Sequence, residues 1–290
     1  MAKSSRDQDR KRAAATRRKT NNSSIRLPPG AASMPPEELA QELVWDAIDA
    51  PTPKQQLALL TEALRIHPGN LEARRMILDY SKLSPYEQIP VLRELVELNA
   101  TALGPEIFVT GHKLFWGLIE TRPYMRARHS LAFALRSSGQ LSEAAAEFAA
   151  MLDLCEDDNP GHRYSLLPLL LRLGRLNEAR TLLSKHSDEE MPVFSWCRAL
   201  ERFLSGDLAE ARRAVDNAKE LNPHLPAFLL GRKPVPKTPP YSYCPGEESE
   251  AQCFAADLKD TWKAHPAAVT WLRTTRIQDA AHRKQGTPVS

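Results

Sequence analysis

From Glu37 onward, apolar residues recur at the three- and four-residue spacing of an amphipathic helix, in segments of about 12 to 15 residues broken by Pro or Gly. No stretch sustains two-residue alternation, so the pattern predicts no sheet and an all-α chain. The first two helices are expected over 37–50 and 53–67, closed by Pro68-Gly69-Asn70, and the next pair over 71–83 and 86–99. Residues 104–120 are less regular and lead through Phe115-Trp116-Gly117 towards Arg128. Beyond them one turn is written three times: Ser138-Gly139-Gln140-Leu141-Ser142-Glu143-Ala144, Leu173-Gly174-Arg175-Leu176-Asn177-Glu178-Ala179 and Ser205-Gly206-Asp207-Leu208-Ala209-Glu210-Ala211. Gly lets the chain reverse, the following Leu is expected to dock into the helix pair, and Glu-Ala starts the second helix with an acid near its positive end. Ala144, Ala179 and Ala211 are expected where two helices cross closely.

These turns resemble those of the tetratricopeptide-repeat family, whose unit is about 34 residues of helix, turn and helix. Leu131, Ala132, Phe148, Leu154 and Leu221-Asn222-Pro223 fall where that family places apolar and terminating residues, while Arg128 stands at its usual Trp position. The resemblance implies a tetratricopeptide-like solenoid, a right-handed superhelix of about five helix pairs over 35–223, in which each repeat is buried only by its neighbours. Further on, Asn222-Pro223-His224-Leu225-Pro226-Ala227-Phe228-Leu229-Leu230, a Pro-rich strap over Pro234 to Pro245, an acid-rich helix from Gly246-Glu247-Glu248 and a helix carrying Trp262 resemble the C-terminal segment of the suppressor-of-tumorigenicity family. This resemblance covers about residues 120–273 and implies that 224–275 form a strap with capping helices; residues 276–290 are expected to be a flexible tail. It implies architecture rather than a reaction. Eukaryotic members of that family are membrane-associated, but the longest aliphatic-rich stretch here, Leu166 to Leu171, is interrupted by Pro168 and falls short of the roughly 18 residues that a span needs.

Charge changes the picture at the start of the chain. The formal net charge is only +3 over 290 residues, yet residues 1–26 hold nine Lys/Arg against Asp7 and Asp9, which makes that stretch +7 and the remainder −4. With few apolar residues, residues 1–34 are expected to be a disordered basic tail, punctuated by Pro28-Pro29-Gly30 and Pro35-Pro36. No apolar run follows the basic residues, so the start does not read as a secretory signal. Each phosphate contact by such a tail would add salt-sensitive affinity, so weak RNA contact through residues 3–26 is the alternative functional reading. The tail has no aromatic residue on which a base could stack.

Candidate chemistry is sparse. GxSxG, HExxH, P-loop and GxGxxG patterns are all missing from the sequence, which argues against an enzyme and against a nucleotide cofactor. Asp157, Asp158 and His162 beside Cys155 come nearest to a metal-ligand set, but an acidic, solvated connection between repeats is the expected reading and no metal is predicted. Cys155, Cys197, Cys244 and Cys253 are scattered singly, as reduced thiols of a cytoplasmic protein would be, at least one of them in a helix packing face.

The remaining expectation is binding. Stacked helix pairs line a groove with their first helices, and such grooves receive extended peptides or a partner helix. Counting from the turn glycines places Arg126, His129, Phe133 and Arg136 in that groove from one unit, Tyr164 and Arg172 from the next, and Val193, Trp196, Leu200 and Phe203 from the third. The partner-binding candidates are Arg126, His129, Phe133, Arg136, Tyr164, Arg172 and Trp196. Arginines would grip carboxylates and rings would stack on apolar side chains, so a non-catalytic scaffold for a protein or acidic peptide is expected. Trp196, Leu200 and Phe203 have a competing role in packing the following helix or the C-terminal strap.

Overall fold

The computed structural model describes residues 25, 27, 28 and 30–274. The basic residues of the expected tail and the expected tail at 276–290 lie outside them. Among the described residues every regular element is helical, and one isolated antiparallel bridge joins Leu114 to Cys155. The chain divides into two compact units after Leu83.

In the first unit, α1 (Pro36–Ile48), α2 (Pro53–Ile66) and α3 (Leu71–Ile77) surround one small core. Their starts are written locally. Pro36 and Pro53 stand at first helical positions, where the missing N–H has no helical partner to lose. The Thr52 hydroxyl accepts from Gln55 N–H at 3.3 Å, and the Asn70 side chain accepts from Ala73 N–H at 2.8 Å. Leu43, Val44 and Ala47 of α1 meet Leu60 and Ala63 of α2 and Met76 of α3, with Ile25 packed alongside.

The second unit opens on a capping box. Ser84 N–H donates to the Glu87 carboxylate at 2.8 Å while Glu87 N–H donates to the Ser84 hydroxyl at 3.4 Å, starting α4 (Pro85–Leu103). The pair expected from 71–83 and 86–99 therefore falls across the division: α3 packs on α2, and α4 packs along α6 (Arg122–Ser137). Between α4 and α6 lie the single-turn α5 (Ile107–Thr110) and a run of turns, pinned where Phe115 N–H donates to Leu154 carbonyl at 3.1 Å and Thr121 hydroxyl donates to Phe115 carbonyl. Phe108, Phe115 and Tyr124 cluster there with centroids 5.2–6.0 Å apart.

Next come α7 (Leu141–Leu154), α8 (His162–Arg172), α9 (Leu176–Lys185), α10 (Pro192–Leu204) and α11 (Leu208–Leu221), each helix packed on its sequence neighbours. The thrice-written turn makes the same bonds three times. Gln140, Arg175 and Asp207 N–H reach back five residues to the carbonyls of Leu135, Leu170 and Arg202 at 2.9, 2.9 and 3.0 Å, across glycines at φ 79°, 72° and 84°. This is the Schellman closure, and its left-handed residue explains each glycine. Ala144, Ala179 and Ala211 are fully buried, as expected, but Leu208 is 51% exposed and does not dock as its position in the motif suggested.

Helix α8 is the hub, packing against α7, α9, α10 and the C-terminal helix α13 (Glu248–Lys263). That accounts for the uninterrupted burial of Leu166 to Leu171, a run too apolar for a helix with one buried face. After the short α12 (Leu225–Leu229), an irregular strap over 231–247 returns the chain to α13, and further helical turns occupy 266–274. Asn222, fully buried, ties this arrangement together: its amide donates to the Glu250 carboxylate at 2.8 Å and to Glu247 carbonyl at 3.1 Å, while its own carbonyl accepts from His224 N–H at 3.0 Å. The Asn at the head of the C-terminal motif and the acid of its Glu-Ala helix thus form one buried hydrogen bond.

Candidate functional site: a cation and aromatic stripe ending in a cleft

Arg122, Arg126, His129, Phe133 and Arg136 follow one another at four- and three-residue steps and so share one side of α6. The guanidinium groups of Arg122 and Arg126 each lie 5.9 Å from the centre of the Trp116 ring, and Arg122 Nε also donates to Trp116 carbonyl at 3.0 Å. His129 stacks on Phe133 with centroids 4.5 Å apart, and the Arg136 guanidinium covers the same Phe133 ring at 4.4 Å. Four of the seven expected partner-binding residues are thereby joined in one stripe, with Trp116 and Arg122 added at its upper end. A helical count from Arg126 back by four finds Arg122, whereas Trp116 lies in the irregular segment where no periodicity points to it.

The stripe ends at a cleft of about 370 Å³ lined by Arg136, Ser165, Arg172, Asp257, Asp260 and Thr261, among others. Arg136 donates to Asp257 at 2.8 Å, and Arg172 approaches Asp260 at 3.9 Å, too far for a hydrogen bond. Both acids belong to α13, which is seated on α8 by its own buried stripe of Ala251, Ala255, Leu258 and Trp262. Thr261 hydroxyl donates to Pro168 carbonyl at 3.3 Å, and a His265 ring nitrogen lies 2.9 Å from Leu171 carbonyl. The chain's own C-terminal helix therefore occupies part of the face that the repeat count had left open for a partner.

Two expected residues stand elsewhere. Trp196 is fully buried, edge-on to Trp262 at 5.9 Å, and is a core residue rather than a groove residue. Val193 and Leu200 are buried with it, and Phe203 stacks on Trp271 at 5.0 Å, so this face of α10 packs the C-terminal segment. Tyr164 holds a loop instead of lining the cleft: its hydroxyl donates to Glu189 at 2.6 Å under the Arg163 guanidinium, 4.2 Å from the ring centre. Burial and the adjacent Glu189 carboxylate push the Tyr164 phenol up to about 12.

The segment read as an acidic, solvated connection is instead partly interior. Asp158 is 3% exposed, stands at φ 45°, and accepts from the N–H groups of His162 at 2.7 Å and Arg163 at 3.0 Å, which satisfies the first turn of α8. Arg163 adds a 3.0 Å bond to the same carboxylate. His162 Nε2 faces His129 Nδ1 at 3.3 Å, and burial holds the His162 imidazole below its ordinary value of 6.5, so it is neutral near pH 7. Among the described residues no group of three His, Cys, Asp or Glu side chains is placed to hold a metal ion. All four cysteines are free; Cys155 and Cys197 are buried, and desolvation raises the Cys197 thiol well above its usual range. A larger cavity of about 520 Å³ between α10 and α11 mixes Arg198, Arg202 and Arg213 with more numerous acids and contains none of the expected residues. No helix among the described residues is long and apolar enough to cross a membrane.

The chain matches no family model. It is 25% identical over 185 residues to the protein ST7 homolog of Drosophila pseudoobscura pseudoobscura, covering 54% of this chain and 32% of that protein. It is 27% identical over 179 residues to the human suppressor of tumorigenicity 7 protein-like, covering 54% of this chain and 30% of that protein. The chain thus spans about a third of the length of these curated relatives, and over roughly half of its own length it is similar to suppressor-of-tumorigenicity proteins.

Proposed function

We propose that the second unit is a tetratricopeptide-like repeat array acting as a non-catalytic, cytoplasmic scaffold that holds an acidic peptide of a partner protein along the α6 stripe and in the cleft at its end. The observation that carries this reading is the alignment, on one side of α6, of two cation and ring groups, Trp116 with Arg122 and Arg126 and then Phe133 with His129 and Arg136, with Arg172 across the cleft. Cations stacked on rings are partly desolvated and fixed in place, so a carboxylate that reaches them loses little side-chain entropy. Trp116 and Phe133 are half-buried, and the ring surface that the protein's own cations and His129 leave uncovered offers apolar contact to the aliphatic parts of the same peptide. The thrice-repeated Schellman turn supports the repeat reading, and four free thiols fit a reducing compartment.

A fluorescein-labelled hexaglutamate peptide tests the site by fluorescence anisotropy. Binding should be salt-sensitive and weaken at least about tenfold in Arg126→Gln/Arg136→Gln/Arg172→Gln, since each lost charge-assisted contact is worth about 1.5–3 kcal/mol or less when exposed. Equal affinity for the wild type and this variant would remove the stripe as the binding site.

A further inference from the structure

Within that reading of the cleft, and resting on it, we propose that Asp257 and Asp260 are an internal competitor for the arginines, so that the cleft admits only a ligand bringing carboxylates to replace both. The two arginines are not equivalent. Arg136 is held on the Phe133 ring and closed by a 2.8 Å bond to Asp257, with its side chain 22% exposed. Arg172 is 36% exposed, and its approach to Asp260 at 3.9 Å is a loose ion pair. Arg172 is therefore the point of first capture, and Arg136 follows only when Asp257 gives way.

Asp257 and Asp260 are suited to exchange because α13 has other anchors. The helix is seated by Ala251, Ala255, Leu258 and Trp262, by Thr261 on Pro168 carbonyl, and by the Asn222 bond to Glu250. The two acid side chains are 41% and 60% exposed, so each can turn into water while the helix stays docked. Until they turn away, they repel an incoming acid, and this penalises a ligand with a single carboxylate more than one that neutralises both arginines. A carboxylate tethered beside its arginine competes at an effective concentration of about millimolar or above, so weak acidic ligands are excluded and multivalent ones are selected.

The test uses the full chain and the same labelled hexaglutamate peptide at low salt. Asp257→Asn/Asp260→Asn should bind it about tenfold more tightly than the wild type, and Asp260→Asn alone about threefold more tightly, the gain vanishing when Arg136→Gln/Arg172→Gln is added. The single variant alters only the loose, exposed pair, so it reads the competition even if the double variant loses stability. Measurable binding with equal dissociation constants in the wild type and Asp260→Asn overturns the competitor and leaves the groove reading standing. Absence of binding to all four proteins overturns both.

Discussion

Trp196 of α10 meets Trp262 of α13 edge-on, with ring centroids 5.9 Å apart and an interplanar angle of 71°, and both side chains are completely buried. Neither indole N–H has a hydrogen-bond partner among the described residues. Their contribution is therefore area and shape, offset by two unsatisfied donors. Replacing Trp196 by Ala should cost about 3–5 kcal/mol through the cavity left against α13. Trp196→Phe keeps most of the ring contact and removes one orphaned donor, and should cost about 1 kcal/mol. Urea unfolding followed by far-ultraviolet circular dichroism separates the two; equal losses would mean that the pair does not anchor α13.

The buried Asn222 predicts a steeper order of effects. Asn222→Ala leaves the Glu250 carboxylate with one fewer donor and should cost about 1–3 kcal/mol. Asn222→Asp places a second carboxylate 2.8 Å from Glu250 at a buried position and should cost about 3–5 kcal/mol. Thermal melts of both variants check the order, and an Asp variant as stable as the Ala variant would show that the site admits water.

The turn glycines are conformational. An added Cβ at Gly206 meets nothing within 4 Å, yet its φ is 84°. Gly206→Ala should therefore lower stability by about 1–2 kcal/mol through backbone strain alone. Gly206→Asn should cost less than half of that, since Asn tolerates the left-handed region. A chemical-denaturation series on these two variants measures the difference, and the same pattern is expected at Gly139 and Gly174.

His162 predicts an acid sensitivity. Burial lowers its folded-state pKa below 6.5, so the unfolded chain binds the proton first. Its contribution to stability is complete above pH 6.5 and is lost as pH falls from there towards the lowered value, with a slope of at most about 1.4 kcal/mol per pH unit. His186, lowered chiefly by burial and then by Arg163 and Lys185, acts in the same direction. Urea midpoints between pH 7.5 and 5.5 should therefore decline for the wild type and decline less for His162→Asn. Parallel declines would place the acid sensitivity elsewhere.

The basic start of the chain is the alternative route to function. With residues 1–24 deleted, Arg126→Gln/Arg136→Gln/Arg172→Gln should still weaken hexaglutamate binding about tenfold, because the stripe and cleft are built from residues of the second unit. The same deletion should abolish any affinity for a single-stranded RNA that falls steeply with salt. RNA affinity that survives the deletion unchanged removes residues 3–24, which carry eight of the nine basic residues of that stretch, as its source.

Much of the fold was legible because it is local. The caps at Thr52, Asn70 and Ser84, the proline starts and the three Gly turns join groups three to five residues apart, and their spacing can be read along the chain. The four-and-three spacing of Arg126, His129, Phe133 and Arg136 was legible for the same reason. The burial of Trp196 was one of two open roles, because its amphipathic helix presents the same face whether a partner or another part of the chain covers it. The roles of Asp257 and Asp260 had no local signature: Arg136 and Asp257 are 121 positions apart.

The amino-acid order alone determined that the chain is helical, where the first helices and the three Gly turns fall, and which residues of a helix share a face, since these depend on bonds within one or two helical turns. Tertiary structure decided which faces are covered. It sent α3 and α4 into different units, seated α13 on α8 and α10, and turned two arginines of an expected open groove towards the chain's own acids. Those outcomes depend on long-range burial of apolar area, which is non-directional and is settled only when all the competing faces are present together.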